Sequence, residues 1–297
     1  MTRPVAISMV LFGATLMSFV GLILRLMESA DAFQILVYRS LSLAAIVLLV
    51  ACTRRKSNPA RFFASIDRWS IFIGFLLGLA FSFYVYALLN TSIASALFLL
   101  SSSPIFAAVL AWIVLREKPS SVTYLALVLA VAGVGIMVAD GLDSGGTTGN
   151  LFALFSAFCF AAMLVTIRYL GRDDPLEGTF LGGIFATLMN VGLVIALGSG
   201  FVISTWDLGL SLFMGAFTIG LGITFVTWAA GYLPSSEVSV LVLLESVLGP
   251  LWVWLFIGET ASFNVLIGGA IVLGAVILQT AMGNGRKNWM SSRRPKK

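Results

Sequence analysis

The chain runs to 297 residues, 59% of them hydrophobic and 10% charged, and its 18 Lys and Arg against 13 Asp and Glu leave a net charge of +5. A soluble domain is about 25% charged. A water-soluble fold of this size has no way to hide so much apolar surface, and the composition fits a polytopic helical membrane protein.

A helix crossing a bilayer needs about 20 apolar residues. Ten such runs follow one another: 5–24, 33–52, 70–89, 93–115 and 122–139, then 149–167, 178–198, 209–231, 235–257 and 263–282. The first run, with Arg3 before it and Ala30-Asp31-Ala32 after it, has the outline of a secretory signal. It is longer than the usual apolar stretch of about 7–15 residues, and a later run copies it, so it is expected to stay as a helix. The second run contains Arg39 and ends at Cys52. A guanidinium is always charged and offers a fork to carboxylates. Arg39 is open to three roles: pairing with Glu245, contacting an anionic substrate, or snorkelling to the surface.

The third run holds Gly74 and Gly78, whose spacing predicts close helix packing. It also carries Ser82, Tyr86 and Asn90 at i, i+4 and i+8, with Phe81 and Tyr84 beside them. Hydroxyls and aromatics on one stripe suit a pocket for a planar or amphipathic solute, or else helix–helix hydrogen bonds. The fourth run is interrupted by Ser101-Ser102-Ser103-Pro104 and ends at Trp112 and Glu117. The sixth holds Cys159. Two lone thiols make neither a disulfide framework nor a zinc site, and no histidine is present to serve a nucleophile or a proton relay.

The eighth run offers Thr224 and Thr227 on one face with Gly231, and Trp228 next to them. The ninth carries Glu245, Ser246, Gly249 and Pro250 before Trp254 and Glu259. An ionised carboxylate in mid-span costs at least about 2.5–3.5 kcal/mol and is a functional candidate by default, here as a proton- or substrate-coupled group. Proline removes a helix hydrogen bond, and the freed carbonyls can line a cavity or form a hinge. The expected hinge residues are Pro104, Gly249 and Pro250.

The chain is written twice. Leu11-Phe12-Gly13-Ala14 returns as Leu154-Phe155-Ser156-Ala157, Arg25 as Arg168, Trp112 as Trp254 and Glu117 as Glu259, at offsets of 142–143. Sixteen of the eighteen basic residues fall on one side of the ten runs: Arg3; Arg54, Arg55, Lys56, Arg61 and Arg68; Arg116 and Lys118; Arg168 and Arg172; and six in the tail from Arg286 to Lys297. Asp140, Asp143 and Asp207 lie opposite. Lys and Arg mark cytoplasmic loops, so both termini are expected inside, and the tail is read as an anchor to an anionic leaflet. With five spans per copy, the second copy enters from the opposite face. Residues 1–143 and 144–282 are therefore two inverted repeats of an all-α, ten-helix membrane protein, followed by a basic tail at 283–297.

Two stretches carry a family resemblance: Ser103-Pro104-Ile105-Phe106-Ala107-Ala108 through Trp112 to Arg116-Glu117-Lys118, and Leu244-Glu245-Ser246 through Trp254 to Gly258-Glu259. Together with the ten spans and with Arg39 in Tyr38-Arg39-Ser40, they make the chain similar to the EamA family of the drug/metabolite transporter superfamily. The second copy departs from the pattern, with Ser246 where Pro104 would recur and the proline moved to Pro250. The resemblance implies a central cavity lined by helices 1, 3, 4, 6, 8 and 9, with helices 5 and 10 peripheral. It implies a secondary transporter, an exporter of amino acids or related amphipathic metabolites, in a bacterial inner membrane. An uptake carrier or exchanger for a vitamin or nucleobase-type solute is the alternative. A membrane-embedded enzyme or a channel subunit is remoter, since no catalytic cluster, charge ring or GxxxxGK[ST] motif is present. No cofactor, metal or nucleic acid is expected. The expected partners are the bilayer, a small organic solute and protons, with the protein a monomer or homodimer. The candidate site residues are Glu245, Arg39, Ser82, Tyr84, Tyr86, Ser103, Thr224, Thr227, Trp228 and Ser246.

Overall fold

A computed structural model describes residues 1–56, 58–91, 93–117, 119–138, 146–171, 175–198, 200–258 and 263–282. Nine stretches among them are long and apolar enough to cross a membrane: spans 1 (Arg3–Arg25), 2 (Ala32–Arg55), 3 (Arg68–Ala87), 4 (Ala96–Leu115), 6 (Thr147–Leu170), 7 (Leu176–Leu197), 8 (Thr205–Ala230), 9 (Ser235–Ile257) and 10 (Phe263–Met282). Span 5, Ser121–Met137, is a shorter apolar helix between spans 4 and 6. The result is a ten-helix membrane protein. Lys118, Asp140, Asp143, Arg172, Glu259 and the tail lie outside the described residues.

Local chemistry sets the span ends. Asp31 accepts from the backbone of Phe33 and Gln34, while the Gln34 side chain returns a bond to Asp31 N–H, a capping box that starts span 2. Asp67 caps span 3 through Ser70 N–H at 2.8 Å, and Ser204 caps span 8 through Asp207 N–H at 3.0 Å. Span 2 ends at Lys56 in the left-handed conformation.

The packing follows the repeat. Span 3 packs on 6 as span 8 packs on 1, 4 on 6 as 9 on 1, and 3 on 7 as 8 on 2, while spans 2 and 7, and 5 and 10, pair across the halves. Each contact in that set has its counterpart with the halves exchanged, and five crossings per half make the copies inverted. Equivalent positions even meet at equivalent contacts. A methyl group on Gly13 would come within 2.6 Å of the Gly222 carbonyl. The residues one repeat away, Ser156 and Ala80, touch through a Ser156 hydroxyl that donates to the Ala80 carbonyl at 2.7 Å. Gly74 and Gly78 bring span 3 onto Gly178, Leu181, Gly182 and Phe185 of span 7, the close approach their spacing predicts.

Several spans are broken. Span 1 changes direction at Ser18 and Phe19, between helices Arg3–Met17 and Val20–Arg25. Span 4 breaks at Ser101 and Ser102, between Ile93–Leu100 and Ser103–Leu110. Span 9 breaks at Leu243, between Ser235–Val242 and Leu244–Ile257. That break corresponds to Ser101 one repeat earlier and comes six residues before the expected Gly249-Pro250 interruption. Pro250 instead sits inside a continuous helix. π-helical turns occupy Ala111–Leu115 and Met214–Gly220.

Candidate functional site

The broken spans surround a central cavity of about 640 Å³, within the usual size of small-molecule sites, about 300–1,000 Å³. Its wall draws on Met17, Ser18, Val20 and Gly21 of span 1, Arg39 of span 2, Phe81 and Tyr84 of span 3, Ser101 and Ser103 of span 4, Phe160 of span 6, and Ser239, Val242, Leu243, Glu245, Ser246, Gly249 and Pro250 of span 9. Spans 5 and 10 also reach it through Val134, Met137 and Val265, and span 8 contributes Ile219. Spans 2, 5 and 10 thus also line a cavity expected to belong to spans 1, 3, 4, 6, 8 and 9.

The two prolines act on this wall. Pro104 has no N–H to offer the Leu100 carbonyl, and Pro250 none to offer the Ser246 carbonyl. Leu100 and Ser246 both line the cavity. Pro104 itself is buried behind Ser103.

Arg39 and Glu245 are the basic and acidic side chains of the lining. Arg39 is 4% exposed, its guanidinium lies 5.6 Å from the centre of the Phe81 ring, and its Nε has no hydrogen-bond partner. Ion pairs are found at Arg3–Glu237, Arg55–Glu177 and Arg168–Glu117, and among the described residues Arg39 and Glu245 do not pair with each other. Tyr84 lines the same cavity. A charge in this setting costs at least about 2.5–3.5 kcal/mol when left alone.

Of the expected site residues, Arg39, Tyr84, Ser103, Glu245, Ser246, Gly249 and Pro250 come together on the cavity wall. The others stand apart from it. Ser82 is buried and accepts from the Asn190 amide of span 7 at 3.1 Å. Tyr86 packs among Phe33, Phe83 and Phe152, and the Asn90 amide donates to the Tyr86 carbonyl. Thr224 and Thr227 donate back to the carbonyls of Gly220 and Ile223, and Thr227 meets Thr179 of span 7 at 3.0 Å. Trp228 lies 3.4 Å beneath the Arg54 guanidinium. In span 3 the face carrying Phe81 and Tyr84 looks into the cavity, while the polar stripe through Ser82 serves the contact with span 7. Hydroxyls in lipid bury against neighbouring helices as readily as against a solute.

Sequence reasoning passed over Ser18, Ser156 and Ser239 as site residues and named Ser101 only as part of the interruption of span 4; all four line the cavity. Ser18 accepts from the Trp252 indole at 2.8 Å, and Phe19 stacks on that ring at 4.7 Å, so the bend of span 1 is tied to span 9. A lone serine in an apolar run announces none of this. Glu237 was also passed over, although an acid two residues into a span was a usable signal.

Bonds cross between spans at the end bearing the Arg54–Arg68 connection. Glu237, 2% exposed, pairs with Arg3 at 3.3 Å. Arg168 pairs with Glu117 at 3.3 Å and donates to the Gly231 carbonyl at 2.9 Å. These bonds join span 1 to 9 and span 6 to 4, the same helices that make the wall. Polar atoms there are buried without partners, among them Ser235 Oγ and Ser239 Oγ. At the opposite end, the Asp207 carboxylate accepts from the backbone N–H groups of Glu28, Ser29 and Ala30 and from the Ser29 hydroxyl, all at 2.9–3.0 Å. That fastens the connection between spans 1 and 2 to the start of span 8.

Comparison with known proteins agrees with this architecture. The profile of the EamA-like transporter family matches residues 4–139 and again 147–281. An uncharacterized transporter of Archaeoglobus fulgidus is 28% identical over 214 residues, 68% of this chain and 75% of its own. The pseudopaline exporter CntI of Pseudomonas aeruginosa is 28% identical over 197 residues, 65% of this chain and 68% of its own. Solute carrier family 35 member G1 of Homo sapiens is 26% identical over 239 residues, 74% of this chain and 62% of its own. A solved crystal structure superposes with a TM-score of 0.77 over 95% of this chain and 99% of its own at 19% identity, which shows a shared fold.

Proposed function

The chain belongs to the EamA-like transporter family, and from that premise we propose that it is a secondary carrier exporting small organic solutes, amino acids or related amphipathic compounds, by alternating access. It is a transporter and not an enzyme. The observation that carries the reading is the central cavity with one buried cation and one carboxylate, set between two helices broken at equivalent depth. Paired interruptions of this kind mark binding regions in inverted-repeat carriers.

The basic end faces the cytoplasm of a bacterial inner membrane, by the positive-inside rule. On this reading Arg3–Glu237 and Arg168–Glu117 are the cytoplasmic gate. Transport breaks these pairs, opens the cytoplasmic end and closes the other. Their orphaned polar neighbours favour such a change, since buried unbonded groups cost about 1–3 kcal/mol each and recover that on hydration. Glu245 serves as the coupling carboxylate, with protons as its partner. Export over uptake draws support from a relative named as an exporter. The bilayer and the solute are the partners, and the cavity lies within one chain, so a monomer suffices.

The test is flux in proteoliposomes loaded with amino acids, with and without a proton gradient. Saturable movement of a loaded solute, lost in Glu245→Gln, is the expected result. Flux that never saturates would mean a channel, and no movement of any solute would overturn the reading. Reporter fusions after residues 55 and 198 test the orientation, with the first expected inside and the second outside.

A further inference from the structure

We infer that the first half of span 9 carries a proton path: a line of hydroxyls and ordered water running from the Arg3–Glu237 pair, past Ser235 and Ser239, to Glu245 in the cavity. What the proton drives rests on the carrier reading, and the path rests on this helix alone. Ser235–Val242 reads Ser-Ser-Glu-Val-Ser-Val-Leu-Val, and all eight residues are buried. Spans 1, 4, 5, 6, 8 and 10 pack around it. Three hydroxyls and an acid are costly in such a place, and the repeat shows that the fold does not need them. The same helix of the first half, 142 residues earlier, is Ile93–Leu100, Ile-Ala-Ser-Ala-Leu-Phe-Leu-Leu, with one hydroxyl and no acid. It takes the equivalent place in the fold from the opposite face of the membrane. The polarity therefore belongs to one end of the bundle, the end that carries Arg3.

The hydroxyls are not spent on their own helix. Thr166, Thr218, Thr224 and Thr280 each donate to the carbonyl four residues back, the usual way to settle a hydroxyl inside a membrane helix. Ser235 Oγ and Ser239 Oγ are buried and bond to no described residue. Buried polar atoms without protein partners are where ordered water sits. The two serines are four residues apart, so they share a face. They stand about 6 Å apart along the axis, a gap that one water closes with two hydrogen bonds of about 2.8 Å. Ser239 also lines the cavity together with Glu245, about 9 Å further along the span, and water in the cavity completes the line. At the other end Glu237 meets Arg3, whose side chain is 31% exposed, so the path reaches solvent there. The Gln279 side chain of span 10 also bonds to Glu237. The remaining charges at this end, Arg168 of span 6 and Glu117 after span 4, pair with each other, and spans 5, 8 and 10 bring none to it. Arg39 and Tyr84 share the cavity with Glu245.

Proton movement along this line balances at every member. Glu245 gives its proton to a water in the cavity. Each water or hydroxyl takes one proton on its oxygen and passes another on, and the water beside Glu237 ends as hydronium. Glu245 becomes a carboxylate and nothing else is changed. Uptake runs the same steps backward. Serine serves because its hydroxyl both donates and accepts. Valine does neither.

The test is time-resolved infrared spectroscopy of the purified full chain in lipid nanodiscs, following the carboxyl band of protonated Glu245 after a photoreleased pulse of protons. Loss of the band in Glu245→Gln assigns it. In Ser235→Val and in Ser239→Val the response should slow by about tenfold, the worth of one hydrogen bond in the line. Ser235→Thr and Ser239→Thr keep a hydroxyl and should hold the parent rate, which separates loss of the path from loss of folding. Alanine at either position replaces a valine variant that does not fold. Parent rates in both hydroxyl-free variants, slowing in only one of them, or a Glu245 band that never answers the pulse would overturn the proposal. Flux of amino acids from loaded proteoliposomes separates the two readings. Proton-driven flux that ignores both substitutions keeps the carrier and removes the path. A slowed Glu245 response in a protein that moves no solute keeps the path and removes the carrier.

Discussion

Gly215→Ala is the substitution on which the helix-packing argument is most exposed. Gly215 lies in the π-helical turn of span 8, and a methyl group there would overlap the carbonyl oxygen of Arg39 and the hydroxyl of Ser42, and stand 2.7 Å from the Arg39 carbonyl carbon. Comfortable contact between such atoms is about 3.5–4.0 Å, so spans 2 and 8 must separate by about 1 Å. Overpacking costs about 1–3 kcal/mol. The upper end applies, because backbone is struck and cannot swing aside. Alanine returns up to about 1 kcal/mol of helix propensity, leaving a net loss of about 2 kcal/mol. Gly192→Ala is the internal control. It sits within span 7 with nothing within 4 Å of the added methyl, so it is neutral or gains up to about 1 kcal/mol. The two variants should differ by about 3 kcal/mol, or roughly 6–12 °C in unfolding temperature for a chain near this size. Thermal unfolding in one detergent reads both. Because the struck carbonyl belongs to Arg39, Gly215→Ala should also lose solute binding at temperatures where it remains folded. If Gly215→Ala unfolds no earlier than Gly192→Ala, the spacing of spans 2 and 8, and the placement of Arg39 that depends on it, is wrong.

Three further substitutions probe the two ends of the bundle. Arg55→Ala strands the buried Glu177 carboxylate, whose two oxygens accept from Arg55 while Ser65 donates to it at 2.7 Å. The loss should be about 2–3 kcal/mol in chemical denaturation, below the 3–5 kcal/mol of a fully buried pair because Arg55 is a quarter exposed, and a change under about 0.5 kcal/mol would refute the pairing. Glu237→Gln removes Arg3's partner and should raise, several-fold, the labelling of a Ser239→Cys probe by a thiol reagent added at the basic end, in a Cys52→Ser, Cys159→Ala background. The charge exchange Arg3→Glu with Glu237→Arg should restore protection, and labelling that ignores both changes would remove these residues from the gate. Asp207→Asn replaces an acceptor-only carboxylate that holds three backbone N–H groups. Limited proteolysis should cut between residues 26 and 31 sooner than in the parent, and unchanged digestion would assign the loop's order to the Trp206 indole bond to the Leu26 carbonyl instead.

Several layers of this protein are legible before any coordinates. Apolar length alone places the spans, since backbone groups in lipid must bond within their own helix. The repeat shows in four-residue echoes such as Leu11 to Ala14 and Leu154 to Ala157, and the packing honours it, with Gly13 against Gly222 and Ser156 against Ala80. Arg39 and Glu245 stand out because a charge inside a span is costly wherever it points.

What stays hidden is direction. Ser82 and Tyr84 are two residues apart on one helix and equally polar, yet one is spent on Asn190 and the other faces the cavity. Pro250 marks a kink by rule, but the break falls at Leu243, matching Ser101 in the other half. The serine of a bend and the acid of an ion pair are defined by partners more than 200 residues away, as Ser18 is by Trp252 and Glu237 by Arg3. The linear chain sets which segments enter the membrane and which charges must be accommodated there, because those costs are local to each helix. Which face of a helix turns inward, which charges pair and which two are left open to a solute depend on contacts between helices, and only the tertiary structure decides them.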